Sequence, residues 1–345
     1  MTDSYDWCVI GAGVAGICMI ARLLDNNIPA NQIVWVDPDY KVGDLGKYWH
    51  MVPSNTDVSL LLTSLAQSRA FSFNKFTKRF SIQDSDPNKT IPLIQLVQPL
   101  QAISDNLRKQ VIVCPGCVSK LSYLENWQIT IDNTQQILSK NVVLATGSEP
   151  NAPLYDVPNF IPLTTALDPQ KLAISVNSDD NVLVFGSSHS AILVMKNLIE
   201  AGVGKIVNVF RRHLIYAEKH GDKTKYDNTG LKGIAAIWAK SHIETKLLEN
   251  ISRHHIDEAD IALLLKESTK QIYATGFRRR ENIATNINLN DYNEHTARID
   301  TNIYGIGIAY PLFLEDHFGI KEYKVGLDSF LSQADSIIDQ ALLQL

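Results

Sequence analysis

The chain has 345 residues, enough for about two domains with sizeable cores. Its composition, 45% hydrophobic and 20% charged, is that of a soluble globular protein, and a net charge of −5 with a pI near 6.0 argues against nucleic acid or an acidic membrane as a general partner. Four cysteines in a chain this long do not make a disulfide scaffold, and without an export signal a reducing cytoplasm is the expected location.

The first predicted elements lie in DWCVIGAGVAGICMIARLL, residues 6–24. A secretion signal is excluded because Asp3 and Asp6 stand where Lys or Arg is required and no small-residue cleavage site follows. A membrane span needs about 18 consecutive apolar residues. Here the run ends at Arg22 and is interrupted by Gly11, Gly13 and Gly16. WCVI reads instead as a buried parallel strand, GAGVAG as a G-x-G-x-x-G turn, and the residues that follow as a helix apolar on nearly every side. Gly11 permits the tight turn, Gly13 lets the backbone approach a pyrophosphate, and Gly16 lets helix pack on strand. The diphosphate would sit on the helix's free N–H groups and positive dipole end. A second strand, QIVWVD, ends on Asp37, whose carboxylate suits ribose hydroxyls and repels a 2′-phosphate. This first site therefore prefers FAD or NAD over NADP.

Residues 43–56 read GDLGKYWHMVPSNT, and CPGC follows at Cys114–Cys117 with the spacing of a redox dithiol. Its flanks, RKQVIV and VSKLSYL, are strand-like, whereas reactive dithiols sit at a helix N-terminus that lowers the thiol pKa. The pair reads as cysteines at a strand turn, with a flavin-linked disulfide as the rival. Nothing completes four zinc ligands around it. NVVLATGSEPNAP, residues 141–153, is an apolar strand meeting a small-residue turn.

Residues 181–212, NVLVFGSSHSAILVMKNLIEAGVGKIVNVFRR, repeat the strand, turn, helix, strand order. Gly186, Ser188 and Ala191 stand at the small-residue positions, with His189 and Ser190 opening the helix and His189 read mainly as a capping or packing residue. Where the first copy ends on an acid, this one ends on Arg211 and Arg212, whose guanidinium groups suit the 2′-phosphate of NADP. The segment 225–239, KYDNTGLKGIAAIWA, carries no derivable role. RHHIDEAD, residues 253–260, gathers metal-ligating residue types whose neighbours point in different directions, so no metal site is assigned. QIYATGFRRR, residues 271–280, repeats the strand-to-small-turn pattern, its arginines reading as a solvated hinge. TNIYGIGIAYP follows at 301–311, and LDSFLSQADSIIDQALLQL has the apolar spacing of a terminal helix.

Over nearly its full length the chain resembles the flavoproteins with two dinucleotide-binding domains. The resemblance implies an α/β fold of two Rossmann-like domains: an FAD domain, residues 1–155 and 281–345, interrupted by an NAD(P)H domain, residues 156–280. The linkers are EPNAPLYDVPNFIP and RRRENIATNINLN. Residues 141–153 and 271–280 resemble the two Ala-Thr-Gly segments that close the domains, which implies cofactor contacts at Thr146, Gly147 and Gly276. Residues 301–311 resemble the flavin-contacting turn, with Gly305 and Gly307. The stretch 43–56 resembles the Gly-Gly-x-Trp and Asn-Thr segments of flavin-containing monooxygenases, which places Gly46, Trp49, Asn55 and Thr56 beside the isoalloxazine and makes Asn55 the catalytic candidate. The main chain at Val118 would touch the adenine end of FAD.

The spacing from Trp49 to Asn55 is shorter than in those monooxygenases, and two further features separate the chain from the patterns it resembles. Its linker lacks the F-x-G-x-x-x-H-x-x-x-Y/F signature of the monooxygenases, and Ile308 follows Gly307 where disulfide reductases carry aspartate. The resemblance implies an FAD enzyme oxidising NADPH and oxygenating a small amine or thioether through a flavin C4a-hydroperoxide. Two alternatives stay open: a reductase passing electrons to a disulfide or other acceptor, and a flavin- or nucleotide-binding regulator or scaffold without turnover.

Overall fold

The apolar run after Asp6 forms β1 (Ser4–Ile10), the three-glycine turn leads into α1 (Val14–Asp25), and QIVWVD supplies β2 (Ile33–Asp37). β2 pairs in parallel with β1 from Trp7↔Ile33 to Ile10↔Val36. In this computed structural model, which describes residues 4–155, 159–221 and 223–343, the two strands are the middle of a larger sheet. Its parallel part runs Ile112–Pro115, β2, β1, Gln135–Leu144, Ile303–Gly305. The outer half of Gln135–Leu144 continues instead into an antiparallel meander with Trp127–Ile131 and Val118–Tyr123.

α1 is apolar all round because it is covered on all sides. Ile17, Cys18, Met19, Ile20, Ala21 and Leu23 have no exposed surface, and the helix packs between the sheet, helix Ile94–Leu107 and the terminal helix Leu327–Leu342. The terminal helix follows the predicted spacing, burying Phe330, Leu331, Ala334, Ile337, Ile338 and Ala341. Of these, Phe330, Leu331, Ile337 and Ile338 each contribute about 1.5–3 kcal/mol.

A second sheet is fully parallel, in the order Ile251–His255, Lys205–Phe210, Asn181–Phe185, Lys270–Tyr273, with helix His189–Glu200 between its two central strands. The two sheets share one local plan. Gly11 donates to the Val36 carbonyl and Ala145 to the Ile10 carbonyl; Gly186 donates to Val209 and Ala274 to Phe185. A Cβ on Gly11 would collide with the Ala145 carbonyl, and one on Gly186 with the Ala274 carbonyl. Both glycines also need the left-handed region, with φ of +110° and +127°. The Ala of each Ala-Thr-Gly segment is thus the surface on which the first glycine of each motif packs.

The chain passes between the sheets twice, and the two passages pair as an antiparallel ribbon, Ser148–Pro150 with Phe277–Arg279. Gly276 and Thr275 hold it by accepting from the main chain and side chain of Asn151. The expected domain borders fall just past this ribbon. The proline-rich linker contains residues 156–158, which lie outside the described residues, as do 344 and 345 of the predicted terminal helix. No helix among the described residues is long and apolar enough to cross a membrane.

Candidate functional site

A cavity of about 690 Å³ opens at the carboxyl ends of the larger sheet's parallel strands and extends to the edge of the second sheet's unit. Open parallel sheets bind ligands at this end. Of the residues singled out in the sequence, Gly11, Gly13, Asp37, Trp49, Asn55, Thr56, Val118, Thr146, Gly147, Ser190 and Gly307 line it. Cys117 and Arg280 line it too, whereas Gly16, Gly46, Gly186, Ser188, His189, Arg211, Arg212, Gly276 and Gly305 lie elsewhere. Gly16 is the third residue of α1, where a Cβ would meet the Gly11 carbonyl, so it permits the helix–strand contact. Gly305 is buried under Tyr310, whose ring occupies the space of a Cβ.

Gly46 requires a correction. The glycine of the 43–56 stretch that faces the cavity is Gly43, at φ +56° and with its Cβ position 2.9 Å from the Gly13 Cα. Gly46 packs against the Lys41 carbonyl and does not line the cavity. The spacing aligned Gly46 with a family motif, but the close approach of two backbones falls three residues earlier. Val42 beside it sits at φ 58°, a strained conformation for a β-branched residue, and is held there by complete burial.

The corner at Gly11–Gly13 fits a diphosphate. No side chain caps α1, its first turn carries no acid, and a Cβ at Gly13 would have only the Gly43 Cα within 4 Å, at 3.9 Å. The positive helix end is therefore left to a ligand. Asp37 closes the corner. Its Oδ2 accepts from Ala12 N at 2.7 Å, and its Oδ1 from Tyr40 N at 2.7 Å and Asp39 N at 3.0 Å. Trp35 Nε1 donates to the Gly11 carbonyl at 2.9 Å, fixing the turn from below.

The charged side chains on this lining are each partnered. Arg280 pairs with Asp44 and donates to the Thr146 carbonyl at 3.0 Å, while Lys47 pairs with Asp39 at 2.7 Å. As a basic run the three arginines of 278–280 are expected to act together as a solvated hinge. Arg278 does bond Glu149 across the ribbon, and Arg279 donates to the Ala309 and Leu289 carbonyls, but Arg280 reaches the cavity wall. Trp49 meets Phe277 of the ribbon edge-on with centroids 5.8 Å apart. Asn55 is exposed at the cavity, its Oδ1 accepting from Thr56 Oγ1 at 3.3 Å, and its segment is held by the Ser54–Ile91 backbone bond.

Gly307, at φ +91°, brings the last strand's turn against Ala15. The residue that places this turn escaped the sequence reading. Gln333, 1% exposed on the terminal helix, donates to the Gly305 and Tyr310 carbonyls at 3.1 and 2.8 Å and accepts from Gly307 N at 3.3 Å. Gln333→Leu should leave these buried groups without partners and destabilise the flavin-free protein by about 2–4 kcal/mol, as read by denaturant unfolding.

The second motif presents Ser190 to the cavity. Gly186 and Ser188 lie at the amino end of helix His189–Glu200, which no side chain caps. His189 Nε2 accepts from Lys232 N at 3.0 Å, and burial, with Lys232 nearby, lowers its pKa to about 4. The imidazole is therefore neutral near pH 7, with its proton on Nδ1, and packs as a structural acceptor. Arg211 and Arg212 are exposed just past strand Lys205–Phe210 and away from the cavity.

Cys114 and Cys117 are not bonded to each other, and Cys8 and Cys18 are also free. Cys117 lines the cavity beside Val118, whereas Cys114 is buried in its strand opposite Val36, and burial pushes its thiol pKa up. His254 and His255 lie in the edge strand of the second sheet, where His255 Nε2 contacts the Arg211 carbonyl at 3.1 Å.

Two sheets built on one glycine-turn plan, sharing a cavity, define a protein with two dinucleotide-type units. Residues 5–312 match the family described as pyridine nucleotide-disulphide oxidoreductase, and the chain belongs to that family. It is an FAD-dependent oxidoreductase that works with a pyridine nucleotide. It is similar to the monooxygenase AgnR1 of Paecilomyces divaricatus, 28% identical over an alignment of 376 positions, with 94% of each chain covered. In fold it is similar to a flavin-containing monooxygenase from Stenotrophomonas maltophilia, with TM-score 0.64, 13% identity, and 99% and 100% of the two chains covered. The bacillithiol disulfide reductase Bdr of Staphylococcus aureus is similar as well, with TM-score 0.62, 13% identity and 99% of each chain covered.

Proposed function

We propose that the chain is an NADPH-oxidising monooxygenase that transfers one oxygen atom to a small organic nucleophile such as an amine or thioether. The observation that carries this reading is the single cavity joining the GAGVAG corner, the Trp49–Asn55–Thr56 segment and Ser190 of the second motif, with no disulfide on it. In this reading residues 1–155 and 281–345 form the FAD domain and 156–280 the NADPH domain. Gly11, Gly13 and the α1 N-terminus hold the diphosphate, Asp37 the ribose and the Val118 main chain the adenine. Gly186, Ser188, Ser190, Arg211 and Arg212 hold NADPH. Bound FAD would supply the redox chemistry with NADPH and oxygen.

The chain's own part is placement and exclusion of water. The Thr146–Gly147 turn is fixed by Arg280, which also pins Asp44 beside Gly43, so the small-residue walls of the cofactor corner are tied together. Trp49, Leu61, Leu93 and Phe330 give the cavity apolar walls. With Arg280, Asp44 and Lys47 already in ion pairs, this part of the lining favours an uncharged substrate, because a buried charge without a counter-ion is costly. Asn55 at the cavity offers an amide to hydrogen-bond a reacting oxygen.

A redox pair at C-x-x-C needs both thiols within reach, and although Cys117 is exposed on the cavity, Cys114 is buried with its pKa raised. The test compares the parent with the Cys114→Ser, Cys117→Ser double variant. NADPH and oxygen consumption in the presence of a thioether should yield sulfoxide, with rates in the two proteins within about threefold, under 1 kcal/mol of barrier. Turnover with a disulfide acceptor that vanishes in the double variant, with no sulfoxide from the parent, would establish the reductase instead.

A further inference from the structure

Among the described residues Glu322 is the most deeply buried carboxylate outside the cavity, 1% exposed in the hairpin formed by Leu312–Glu315 and Lys321–Lys324. Its partners come from the segment for which the sequence offered no role. Glu322 accepts from Thr229 N at 2.9 Å, Thr229 Oγ1 at 2.5 Å and Asn228 N at 3.2 Å, and Lys324 Nζ lies 4.0 Å away. Immediately after this hairpin, Val325 N donates to Asn228 Oδ1 at 3.4 Å, and Val325, Gly326 and Leu327 form part of the cavity wall.

The same loop is rooted in the unit of the second sheet. Leu231 N donates to the Ile215 carbonyl and Ala217 N to the Leu231 carbonyl, and Leu231 is buried in that unit's core. Gly230 leaves no room for a side chain against Tyr216 and Ala217. Lys232 N then donates to His189, the first residue of the helix whose next residue, Ser190, lines the cavity. Gly233, at φ +55°, lies against Thr90 and the Ser54 carbonyl, one residue before Asn55. Within six residues the loop therefore joins a buried anion beside one cavity wall, the opening of the second dinucleotide helix, and the segment bearing Asn55.

The structure assigns Glu322 as a positioning residue that clamps the loop Asp227–Gly233 and so sets the second dinucleotide motif at one orientation over the cavity. Turning that unit would strip a buried carboxylate of its donors, which is strongly disfavoured. The inference rests on the proposed transfer from NADPH to flavin. A hydride carries two electrons from NADPH, leaving NADP+, and with one proton from solvent gives the reduced flavin. Such a transfer requires the two cofactor sites to be held in register.

The experiment uses holoprotein and three variants: Glu322→Ala, Glu322→Gln and Thr229→Val. Glu322→Ala should slow anaerobic flavin reduction at saturating NADPH by about tenfold or more, with NADPH half-saturation and FAD content within about threefold of the parent. Glu322→Gln, whose amide oxygen can still accept from Thr229, should recover most of the rate. Thr229→Val, which keeps the backbone donors, should fall between them and guards against failure of the alanine variant to fold. Independently of flavin reduction, amide exchange at Asn228 and Thr229 should be slow in the parent and fast in Glu322→Ala. Unchanged exchange, unchanged reduction, or a rate loss that only tracks loss of FAD overturns the assignment. A parent that NADPH does not reduce refutes the underlying functional reading, and exchange then judges the clamp alone.

Discussion

Replacing Arg211 and Arg212 together with alanine should cut kcat/KM for NADPH by about 30-fold to 1000-fold, or about 2–4 kcal/mol for two charge-assisted contacts, while NADH changes within about threefold. The registers of the two sheets explain the choice of position. Ile10 faces Val36 in the first sheet and Phe185 faces Val209 in the second, so Phe210 occupies the place of Asp37. A carboxylate that would repel a 2′-phosphate is therefore missing from the second unit, and Arg211 and Arg212 follow at once. The aromatic ring is also well placed to hold the site's shape. Arg253 lies over Phe210 at 4.4 Å and donates to Asn208 Oδ1 at 2.9 Å, and the His213 and His255 rings stack 6.1 Å apart beside it. Both arginines are exposed, so the NADPH preference should weaken as ionic strength rises. Steady-state kinetics with both coenzymes at two salt concentrations checks this, and equal losses for NADPH and NADH would make the arginines structural.

The parts of this site that sequence makes legible are those whose reason is local. Gly11 and Gly186 are forced by backbone conformation and by the chain packed against them, and a spaced glycine after an apolar strand signals both requirements. Helix α1 is legible because covering on nearly every side leaves an apolar pattern broken only by Arg22 before its last residue, Asp25. Legibility ends where a side chain works across the chain. Trp35 and Asn208 occupy equivalent register positions and each donates to the carbonyl of its motif's first glycine, at 2.9 and 2.8 Å, yet one is indole and the other amide. No residue-type pattern links them. Gln333 interrupts the apolar face of the terminal helix, and Glu322 sits in a short hairpin; each looks like an ordinary solvent-facing residue until the loops it satisfies, 23 to 94 positions away, are folded onto it. Gly43 and Gly46 show a third limit, since motif spacing pointed to one glycine while backbone contact selects the other.

Asp37→Ala should weaken FAD binding by about 1–3 kcal/mol, roughly 5-fold to 150-fold, while leaving FMN binding unchanged. A carboxylate offers about four acceptor sites. The amides of Ala12, Asp39 and Tyr40 take three of them, and Oδ2 carries only the bond from Ala12. One acceptor position on Oδ2 is thus left for a ribose hydroxyl, next to the glycine turn that fits the diphosphate. The same geometry gives Asp37 a second duty. Without it three amides at a buried corner lose their acceptor, so the flavin-free variant should also unfold about 1–3 kcal/mol more easily. Titrating FAD and FMN into folded apoprotein separates the two duties, because FMN lacks the adenosine ribose. Equal weakening of both flavins would mean that Asp37 acts only by holding the turn. Lower apoprotein stability with FAD affinity unchanged would remove the ribose contact altogether.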